Sequence, residues 1–241
     1  MTFDLTVIAP CFNEEDNLST LVARLLASAA DAGIAEQVVL VDDGSTDGTW
    51  SVIERLERAH PGLVKGVRHS ANGGIPAGWR TGVANADGAF VCLIDADLQN
   101  PPEEVARLYV KLQESTRDLA QGTRSSIGRL KDSRLTFSRG LNFLLNIAFG
   151  MRAEDNKSGF LLGPRAVMED IVTAQRRYRH FQTFIGVSAH SKGYSVLEVE
   201  TLFESRHAGT SFLATRASRV AIECLLDFIP ALREFRFGRG N

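Results

Sequence analysis

Short apolar runs alternate with helix-period patterns along the first part of the chain. Runs rich in Val, Ile and Leu predict strands at Leu5–Ala9, Val38–Val41, Leu63–Val67 and Ala89–Ile94. Helices are predicted between them at Thr49–Ala59, at Ile75–Ala86, from Pro101 to Leu112, and from Asn13 through an apolar stripe at Leu18, Leu21, Val22, Leu25 and Leu26. This alternation indicates an α/β fold in which helices cover both faces of a mostly parallel central sheet.

The second half of the chain has a less regular pattern. Arg124–Arg134 is polar and predicts a loop, whereas Leu135–Phe149 has an apolar helical stripe. Further predicted elements are strands at Ser158–Gly163 and Ser195–Phe203 and an amphipathic helix at Phe212–Phe237. We expect one folded domain over residues 1–212, followed by an amphipathic helical tail over residues 213–241.

The composition fits a globular protein and excludes some partners. The 241 residues are 44% hydrophobic, and 27 Lys and Arg against 29 Asp and Glu give a formal charge of -2. That balance gives no general attraction to nucleic acid, so nucleic acid is not an expected partner. The cysteines Cys11, Cys92 and Cys224 lack metal-ligand spacing. We expect a cytoplasmic protein, because neither a signal-peptide pattern nor a run of about 18 uncharged apolar residues is visible.

Acidic segments follow three of the predicted strands. They are Pro10–Glu15 after the first strand, Asp42–Thr49 after the second and Asp95–Gln99 after the fourth. Ligands of parallel sheets bind beyond the carboxyl ends of the strands, where these segments are expected to meet. Carboxylates gathered there repel one another unless a cation or hydrogen-bond donors satisfy them. A divalent metal ion bound by these carboxylates is the simplest way to relieve their repulsion.

Asp95 and Asp97 are the candidate metal ligands. They lie two residues apart on a segment that leaves a strand, so both side chains can turn to one side and hold Mg²⁺ or Mn²⁺. Such a site keeps room for phosphate oxygens, and the ion neutralises a departing diphosphate. The alternative is that the two Asp residues only cap the following helix.

Asp42 and Asp43 begin a glycine-rich turn that has two interpretations. A turn with a helix cap at Thr46 or Asp47 explains the glycines of this segment. A carboxylate that faces the N–H edge of uracil or guanine explains why acids end the strand. The Asn72-Gly73-Gly74 segment after the third strand is, by itself, typical of an ordinary turn.

Four motifs occur in order between Leu5 and Glu104, and they are Pro10-Cys11-Phe12-Asn13-Glu14, Val41–Thr49, Asn72-Gly73-Gly74 and Asp95–Glu103. Together they resemble the catalytic domain of glycosyltransferase family 2, which has the GT-A fold. Further segments are similar to the polyprenyl-phosphate branch of that family, which includes dolichol-phosphate mannosyltransferase and bacterial undecaprenyl-phosphate enzymes. These segments are Leu98–Glu103, Gly122–Arg124, Ser138–Asn142, Asp155–Phe160 and Arg206–Ser211, so the resemblance extends to about residue 212.

The resemblance implies a Rossmann-like GT-A domain that moves a sugar, with inversion and with Mg²⁺ or Mn²⁺, from a UDP- or GDP-sugar to a polyprenyl-phosphate acceptor. A soluble acceptor such as a glycan, a protein or a small metabolite is the alternative. The implied nucleotide-sugar residues are Pro10, Asn13, Glu14, Asp42, Asp43, Asn72, Gly74, Asp95 and Ala96. The implied metal ligands are Asp95, Asp97 and Gln99. The implied catalytic residues are Asp97, Arg124, Asp155 and Arg206, and the implied acceptor-phosphate residues are Arg124, Arg134, Ser138 and Arg139.

The acceptor decides whether a general base is needed. A phosphate acceptor is already ionised, whereas a hydroxyl acceptor must lose a proton. Asp155 is the candidate base, and a turn or capping role is its alternative. The chain departs from the branch at Phe212, which follows Ser211 where Lys is common, and at Glu200, which replaces a proline. The Gln-x-x-Arg-Trp element of processive synthases does not occur.

Two apolar segments with basic neighbours also allow two interpretations. They are Leu135–Phe149 and Ala214–Phe237, and the second is flanked by Arg216, Arg219, Arg233, Arg236 and Arg239. Basic residues beside an apolar face fit peripheral binding to an anionic membrane, here the inner face of the cytoplasmic membrane. The alternative is that the apolar faces pack on the sheet or on a second subunit, which would make a homodimer.

Overall fold

The computed structural model describes residues 2–124, 133–154, 158–173, 178, 181–204 and 226–237, with only the backbone for residues 124, 133–139 and 237. At the centre of this part of the chain lies a seven-stranded sheet. Its strands are β1 (Phe3–Cys11), β2 (Glu36–Asp42), β3 (Val64–Arg68), β4 (Gly88–Leu93), β5 (Leu119–Arg124), β6 (Leu161–Pro164) and β7 (Val196–Thr201). Their order in the sheet is β3-β2-β1-β4-β6-β5-β7.

The strand directions bring most carboxyl ends to one edge of the sheet. β1 pairs in parallel with β2 and β4, and β2 pairs in parallel with β3. β6 is antiparallel to both β4 and β5, so β5 and its parallel neighbour β7 run in the same direction as β4. Every described strand except β6 therefore ends at this edge, which we call the carboxyl edge. The prediction of a mostly parallel sheet is confirmed.

Helices cover both faces of the sheet, as expected. They are α1 (Leu18–Asp31), α2 (Thr49–Ala59), α3 (Ile75–Ala84), α4 (Glu103–Gln113), α5 (Ser133–Phe149), α6 (Arg165–Val172) and α7 (Ile185–Ser191). A terminal helix covers residues 226–237 and is π-helical over Leu232–Phe237. Alternate strand residues face opposite sides, so that Val7 belongs to one hydrophobic core and Ile8 to another. The first core contains α1, α2 and α4, and the second contains α3, α5, α6, α7 and the terminal helix.

Most predicted elements occur within a few residues of their expected positions. The helix predicted at Thr49–Ala59 coincides with α2. The predicted start of the first helix at Asn13 is wrong, because α1 begins at Leu18. Asn13 instead has a φ of 58°, a left-handed conformation that Asn adopts more readily than most residues. The strand predicted from Ser158 begins only at Leu161, and β5, α6 and α7 were not predicted.

The terminal helix packs into the second core. Ala231 and Phe235 are buried there, and the Tyr178 ring stacks on Phe235 with centroids 5.8 Å apart. The Tyr178 hydroxyl also donates to Glu234 Oε2 at 2.5 Å. Residues 226–237 are helical, while residues 205–225 and 238–241 lie outside the described residues, so the amphipathic helix predicted over Phe212–Phe237 as a whole stays a prediction. The domain boundary at residue 212 stays a prediction. Among the described helices, none has the length and apolar character required to cross a bilayer.

Candidate active site

Hydrogen bonds join the loops that follow β1 and β2. The Asn13 N–H donates to Ser45 Oγ at 3.0 Å, and Asn13 Oδ1 accepts from the Thr46 N–H at 2.9 Å. The next residue, Glu14, donates its N–H to Thr49 Oγ1 at 2.9 Å. Because each loop supplies donors and acceptors to the other, the two predicted nucleotide-binding segments are held in fixed positions at the carboxyl edge.

The start of α2 is capped from both loops. The Gly48 N–H donates to Glu15 Oε2 at 2.8 Å, and the Thr49 N–H donates to Asp47 Oδ1 at 3.0 Å. The N-cap of α2 is Gly48, not Thr46 or Asp47 as predicted, although the Asp47 carboxylate accepts from the first N–H of the helix. This capping accounts for the end of the glycine-rich turn and leaves Asp42 and Asp43 to be explained separately.

The last two residues of β1 are Pro10 and Cys11, and the carboxylates of Glu14 and Asp42 lie near Cys11. Pro10 is half-buried, and Glu14 Oε2 accepts a hydrogen bond of 2.6 Å from the Asn17 side-chain amide. Cys11 is fully buried. Burial, together with the nearby carboxylates of Glu14 and Asp42, raises the pKa of the Cys11 thiol well above its ordinary value. This thiol therefore stays neutral and acts as a core residue.

Asp42 is a buried carboxylate with unused hydrogen-bonding capacity. Its side chain has no exposed surface, and Oδ1 accepts from the Ser45 N–H at 2.9 Å. Oδ2 lies 3.1 Å from Arg68 Nε but accepts no hydrogen bond from the described residues. The Arg68 guanidinium also lies over the Trp50 ring, 5.4 Å from its centroid. Arg68 and Trp50 were missed by the sequence motifs, although Arg68 ends β3 at the same edge.

Asp43 has a different role from Asp42. Its Oδ1 accepts from the Gly73 N–H at 2.9 Å, and its Oδ2 accepts from the Gly74 N–H at 2.7 Å. His69 Nδ1 lies 2.7 Å from the same Oδ1. Both carboxylate oxygens are thus used to hold the loop after β3, which places Asn72 at the surface and Gly74 at the start of α3. The predicted nucleotide contacts of Asp43, Asn72 and Gly74 stay predictions.

The acidic segment after β4 continues along β1. The Ile94 N–H donates to Ile8 O at 3.0 Å, and the buried Ala96 and Leu98 belong to the first core. The chain turns at Ala96 and Asp97, and Leu98 has a φ of 61°, so the strand does not continue through the two Asp residues. Asp97 is buried, and its Oδ1 accepts from the Gln99 N–H at 3.1 Å. The alternative that these acids only cap the next helix is wrong, because Pro102 precedes α4.

This segment offers few protein ligands to a metal ion. No group of three His, Cys, Asp or Glu side chains suited to a metal occurs within the described residues. The side chains of Asp95, Asp97 and Gln99 carry two carboxylates and an amide oxygen, which are donor types that Mg²⁺ and Mn²⁺ take, and their role as ligands stays a prediction. Such ions are commonly held by one or two carboxylates, with water and substrate phosphates completing the coordination.

The other half of the carboxyl edge is formed by β5, β6 and β7. Arg124 ends β5 and pairs in register with Thr201, the last residue of β7. Ser158 is buried before β6, where its hydroxyl donates to Gly122 O at 2.6 Å. The backbone of Arg124 thus reaches the predicted edge. Arg134, Ser138 and Arg139 lie on α5, which is described there by its backbone, whereas Asp155 and Arg206 lie outside the described residues.

The strand order sets the spacing of these groups along the edge. β1 separates β2 from β4, and β6 separates β4 from β5. Because neighbouring strands lie about 4.8 Å apart, β4 is roughly 10 Å from both β2 and β5 across the sheet. Asp42, the Asp95–Asp97 pair and Arg124 therefore form a row of three polar positions. Such a row can hold a base, a diphosphate and a second phosphate-bearing group.

Known sequences that resemble this chain point to one family. The sequence model described as glycosyl transferase family 2 matches residues 6–175. The undecaprenyl-phosphate 4-deoxy-4-formamido-L-arabinose transferase of Proteus mirabilis is 31% identical over 207 residues, which cover 86% of this chain and 62% of that protein. The protein of the same name from Pectobacterium atrosepticum is 31% identical over 210 residues, with the same coverage. The chain thus spans less than two thirds of the length of these relatives.

Solved structures share the fold over most of the chain. Glucosyl-3-phosphoglycerate synthase from Mycobacterium tuberculosis, in complex with Mn²⁺, UDP and glucosyl-3-phosphoglycerate, superposes with a TM-score of 0.70 and 18% identity, covering 93% of this chain and 79% of that one. A mannosyltransferase from Pyrobaculum calidifontis, in complex with GDP-Man and Mn²⁺, gives a TM-score of 0.68 and 19% identity, covering 97% and 65%. At these identities the likeness establishes the fold.

Proposed function

The chain belongs to glycosyl transferase family 2 and has the GT-A fold, and from that premise we propose that it transfers a sugar from a UDP- or GDP-sugar to a polyprenyl phosphate. The proposed reaction depends on a divalent metal ion and inverts the anomeric carbon. The observation that carries the proposal is the row of Asp42, the Asp95–Asp97 pair and Arg124 along the carboxyl edge. A nucleotide-sugar and an acceptor phosphate need these three kinds of group in this order.

Asp42 and Arg68 are proposed to select the base. Uracil and guanine each present an N–H beside a carbonyl oxygen, which matches a carboxylate acceptor beside a guanidinium donor. The buried Asp42 Oδ2 lacks a hydrogen bond within the described residues and lies 3.1 Å from Arg68 Nε. Cytosine and adenine present a lone pair in place of that N–H, so a carboxylate disfavours them. Pro10, Asn13 and Glu14 are proposed to line the adjoining base and ribose positions.

Asp95, Asp97 and Gln99 are proposed to hold the metal ion and the diphosphate. A bound Mg²⁺ or Mn²⁺ would neutralise negative charge on the departing nucleoside diphosphate. Asp97 is buried and fixed by its hydrogen bond from the Gln99 N–H, so its carboxylate is oriented before the substrate binds. The backbone of Ala96 is proposed to lie against the nucleotide-sugar.

Arg124, Arg134, Ser138, Arg139 and Arg206 are proposed to bind the acceptor phosphate and the sugar diphosphate. Arginine suits this role because its planar fork binds phosphate oxygens through paired hydrogen bonds. Support for a lipid phosphate comes from the relatives named undecaprenyl-phosphate transferases. An ionised phosphate attacks without a general base, so Asp155 is needed as a base only for a hydroxyl acceptor.

A soluble acceptor is the second candidate. It is favoured by the shared fold of the mycobacterial synthase, which was solved with a small phosphorylated acid, phosphoglyceric acid. The same arginines could bind the anionic group of such a molecule. With a lipid acceptor the protein would act at the cytoplasmic face of a membrane, whereas a soluble acceptor requires no membrane.

Binding and turnover with defined donors test the proposal. Purified protein is supplied with Mn²⁺ or Mg²⁺ and with UDP- or GDP-sugars, with and without a short polyprenyl phosphate. Asp42→Asn should weaken nucleotide binding by roughly 10- to 100-fold, because it removes a charged hydrogen-bond acceptor. Asp97→Asn should abolish metal-dependent transfer. The matched control is Asp31→Asn, an exposed change at the far end of α1, which should behave like the wild type.

Two outcomes would contradict parts of the proposal. If the wild type binds no nucleotide in a metal-dependent manner, the central claim fails. If it binds a nucleotide-sugar and glycosylates only water-soluble acceptors, the donor site is supported and the lipid acceptor is wrong.

A further inference from the structure

Helix α5 has an exposed apolar face in addition to its buried one. Leu145 and Phe149 point into the second core, as the helical stripe predicted. Phe143, Leu144 and Ile147 are on the outside and are 66%, 52% and 61% exposed. Residues 140–151 contain no charged side chain, and the amides of their two polar residues, Asn142 and Asn146, are used in hydrogen bonds to Ala153 O. Packing on the sheet explains the inner face alone.

The terminal helix has an outer stripe of a related kind. Leu226 and Ile229 are 68% and 61% exposed, and Arg233 and Arg236 follow at helical spacing on the same exposed side. The acid Glu234 faces inward and accepts a hydrogen bond from the Tyr178 hydroxyl. The exposed charges of this stripe are therefore positive and lie beside exposed apolar side chains.

The two helices are neighbours. Phe149 of α5 meets Phe228 edge to face, with ring centroids 6.0 Å apart, and the Arg236 guanidinium donates to Ala148 O. We call Phe143, Leu144, Ile147, Leu226 and Ile229 the apolar surface. Large exposed apolar side chains grouped on adjacent elements mark interaction sites rather than ordinary solvent-facing surface.

The part of the apolar surface that belongs to α5 lies on a segment tied to the candidate site. This segment leaves the carboxyl edge after β5 and returns to it before β6. The side-chain amides of Asn142 and Asn146 donate to Ala153 O, at 2.9 Å each, so α5 packs on the returning chain. The Glu154 N–H then donates to Glu198 Oε1 of β7 at 2.6 Å. These contacts hold the apolar face of α5 close to the edge where the acceptor is proposed to bind.

We infer that the apolar surface inserts into the headgroup and acyl boundary of an anionic lipid bilayer and brings the carboxyl edge to a membrane-bound acceptor. The inference rests on the proposed function, since a lipid phosphate must be reached at the membrane plane. Anionic headgroups complement Arg233 and Arg236, while the apolar side chains enter the boundary region. A two-fold contact between copies through the same face would bring the positive charges of Arg233 and Arg236 from both copies to one interface. The bilayer is thus the better match.

Vesicle binding tests the inference without any substrate. The full chain is sedimented with vesicles of phosphatidylcholine alone or mixed with phosphatidylglycerol. We expect binding to the mixed vesicles, reduced at least about tenfold by the double change Phe143→Glu and Ile147→Glu. Arg233→Gln should weaken binding to the mixed vesicles and reduce its salt dependence. Val110→Glu is the matched control, because Val110 is an exposed apolar residue. It lies on α4, the helix that packs on the opposite face of the sheet.

The failure of this inference and that of the proposed function give different results. The double variant should keep metal-dependent nucleotide binding and transfer to a short water-soluble polyprenyl phosphate, while it loses transfer to a long-chain acceptor in vesicles. Loss of nucleotide binding by the wild type would overturn the proposed function. Wild-type protein that ignores mixed vesicles, or a double variant that binds them like Val110→Glu, would overturn the membrane inference. A wild-type dimer that the double variant converts to a monomer, without vesicle binding, would assign the surface to self-association instead.

Discussion

Glu36 is the first residue of β2, and its side chain is buried at the end of the sheet opposite the candidate site. Its Oε1 has no hydrogen-bond partner among the described residues. Burial raises the pKa of the Glu36 carboxyl to about 8. The folded protein therefore keeps a proton over a pH range in which the unfolded chain loses it. The contribution of Glu36 to the free energy of unfolding should be full below the ordinary pKa of 4.5, and it should fall until the pH reaches about 8.

We expect Glu36→Gln to remove most of this pH dependence, because an amide does not ionise. The slope to be removed is up to about 1.4 kcal/mol per pH unit between the two pKa values. Urea midpoints measured from about pH 5 to about pH 9 should show the variant gaining on the wild type as the pH rises. Glu169→Gln, an exposed change on α6, is the control and should follow the wild type. Parallel profiles for the wild type and Glu36→Gln would contradict the assignment.

The different roles of Asp42 and Asp43 could not be predicted from the sequence. Asp42 ends β2 and Asp43 follows it, and the motif that contains them implies nucleotide binding for both. In the structure Asp43 uses its two oxygens on Gly73 and Gly74, whereas Asp42 keeps a buried oxygen without a hydrogen bond among the described residues. The partners of Asp43 come from a distant loop, and local patterns carry no information about such contacts. Arg68 was missed for the same reason.

At the scale of elements, α3 packs directly on β1 through two glycines. A Cβ on Gly78 would lie 2.7 Å from Cβ of Pro10, and one on Gly82 would overlap Cγ2 of Ile8. Ile8 is β-branched and buried in the second core, so it has little freedom to move aside. Because α3 begins at the loop that Asp43 holds, its close approach to β1 also sets the position of that loop beside Pro10.

Gly82→Ala should destabilise the protein by about 1–3 kcal/mol, because the added methyl overpacks the contact with β1. An alanine in a helix otherwise stabilises by roughly 0.8–1 kcal/mol over glycine. Gly140→Ala in α5 is the matched control, since no atom lies within 4 Å of the added Cβ, and it should be neutral or slightly stabilising. Chemical denaturation of both variants gives the measurement. An equal response at the two positions would show that α3 can move away from β1 without loss.

The elements that could be predicted are those with strong local patterns. β1, β2 and β4 are runs of apolar residues, and α2 has a clear apolar stripe. β5 has only Leu119 and Ala120 before polar residues, and its pairing is completed by distant strands. α7 is buried along nearly its whole length, so it shows no amphipathic period. The antiparallel insertion of β6 between β4 and β5 also depends on tertiary pairing, which local periodicity does not contain.

At the scale of the whole molecule, the terminal helix packs into the second core together with α3 and α5. Phe235 is buried, stacks on Tyr178 and shares the second core with Trp79 of α3 and Leu145 of α5. The sequence predicted an amphipathic tail but could not tell whether its apolar side faces this protein, a membrane or another copy. In the structure the two faces of this helix differ, because Phe235 is buried in the core and Ile229 is exposed.

Phe235→Ala should therefore lower the free energy of unfolding by about 3–5 kcal/mol, as expected for a large aromatic removed from a core. Ile229→Ala, a change on the outer stripe of the same helix, should stay within about 0.5 kcal/mol of the wild type. Thermal and urea unfolding measure both variants, and Phe235→Ala should shift the main cooperative transition rather than produce a separate early one. A tail that folds independently of the domain would leave the main transition of both variants unchanged. Since the second core also supports α3 and the loop before it, nucleotide binding by Phe235→Ala should weaken at temperatures where the wild type still binds.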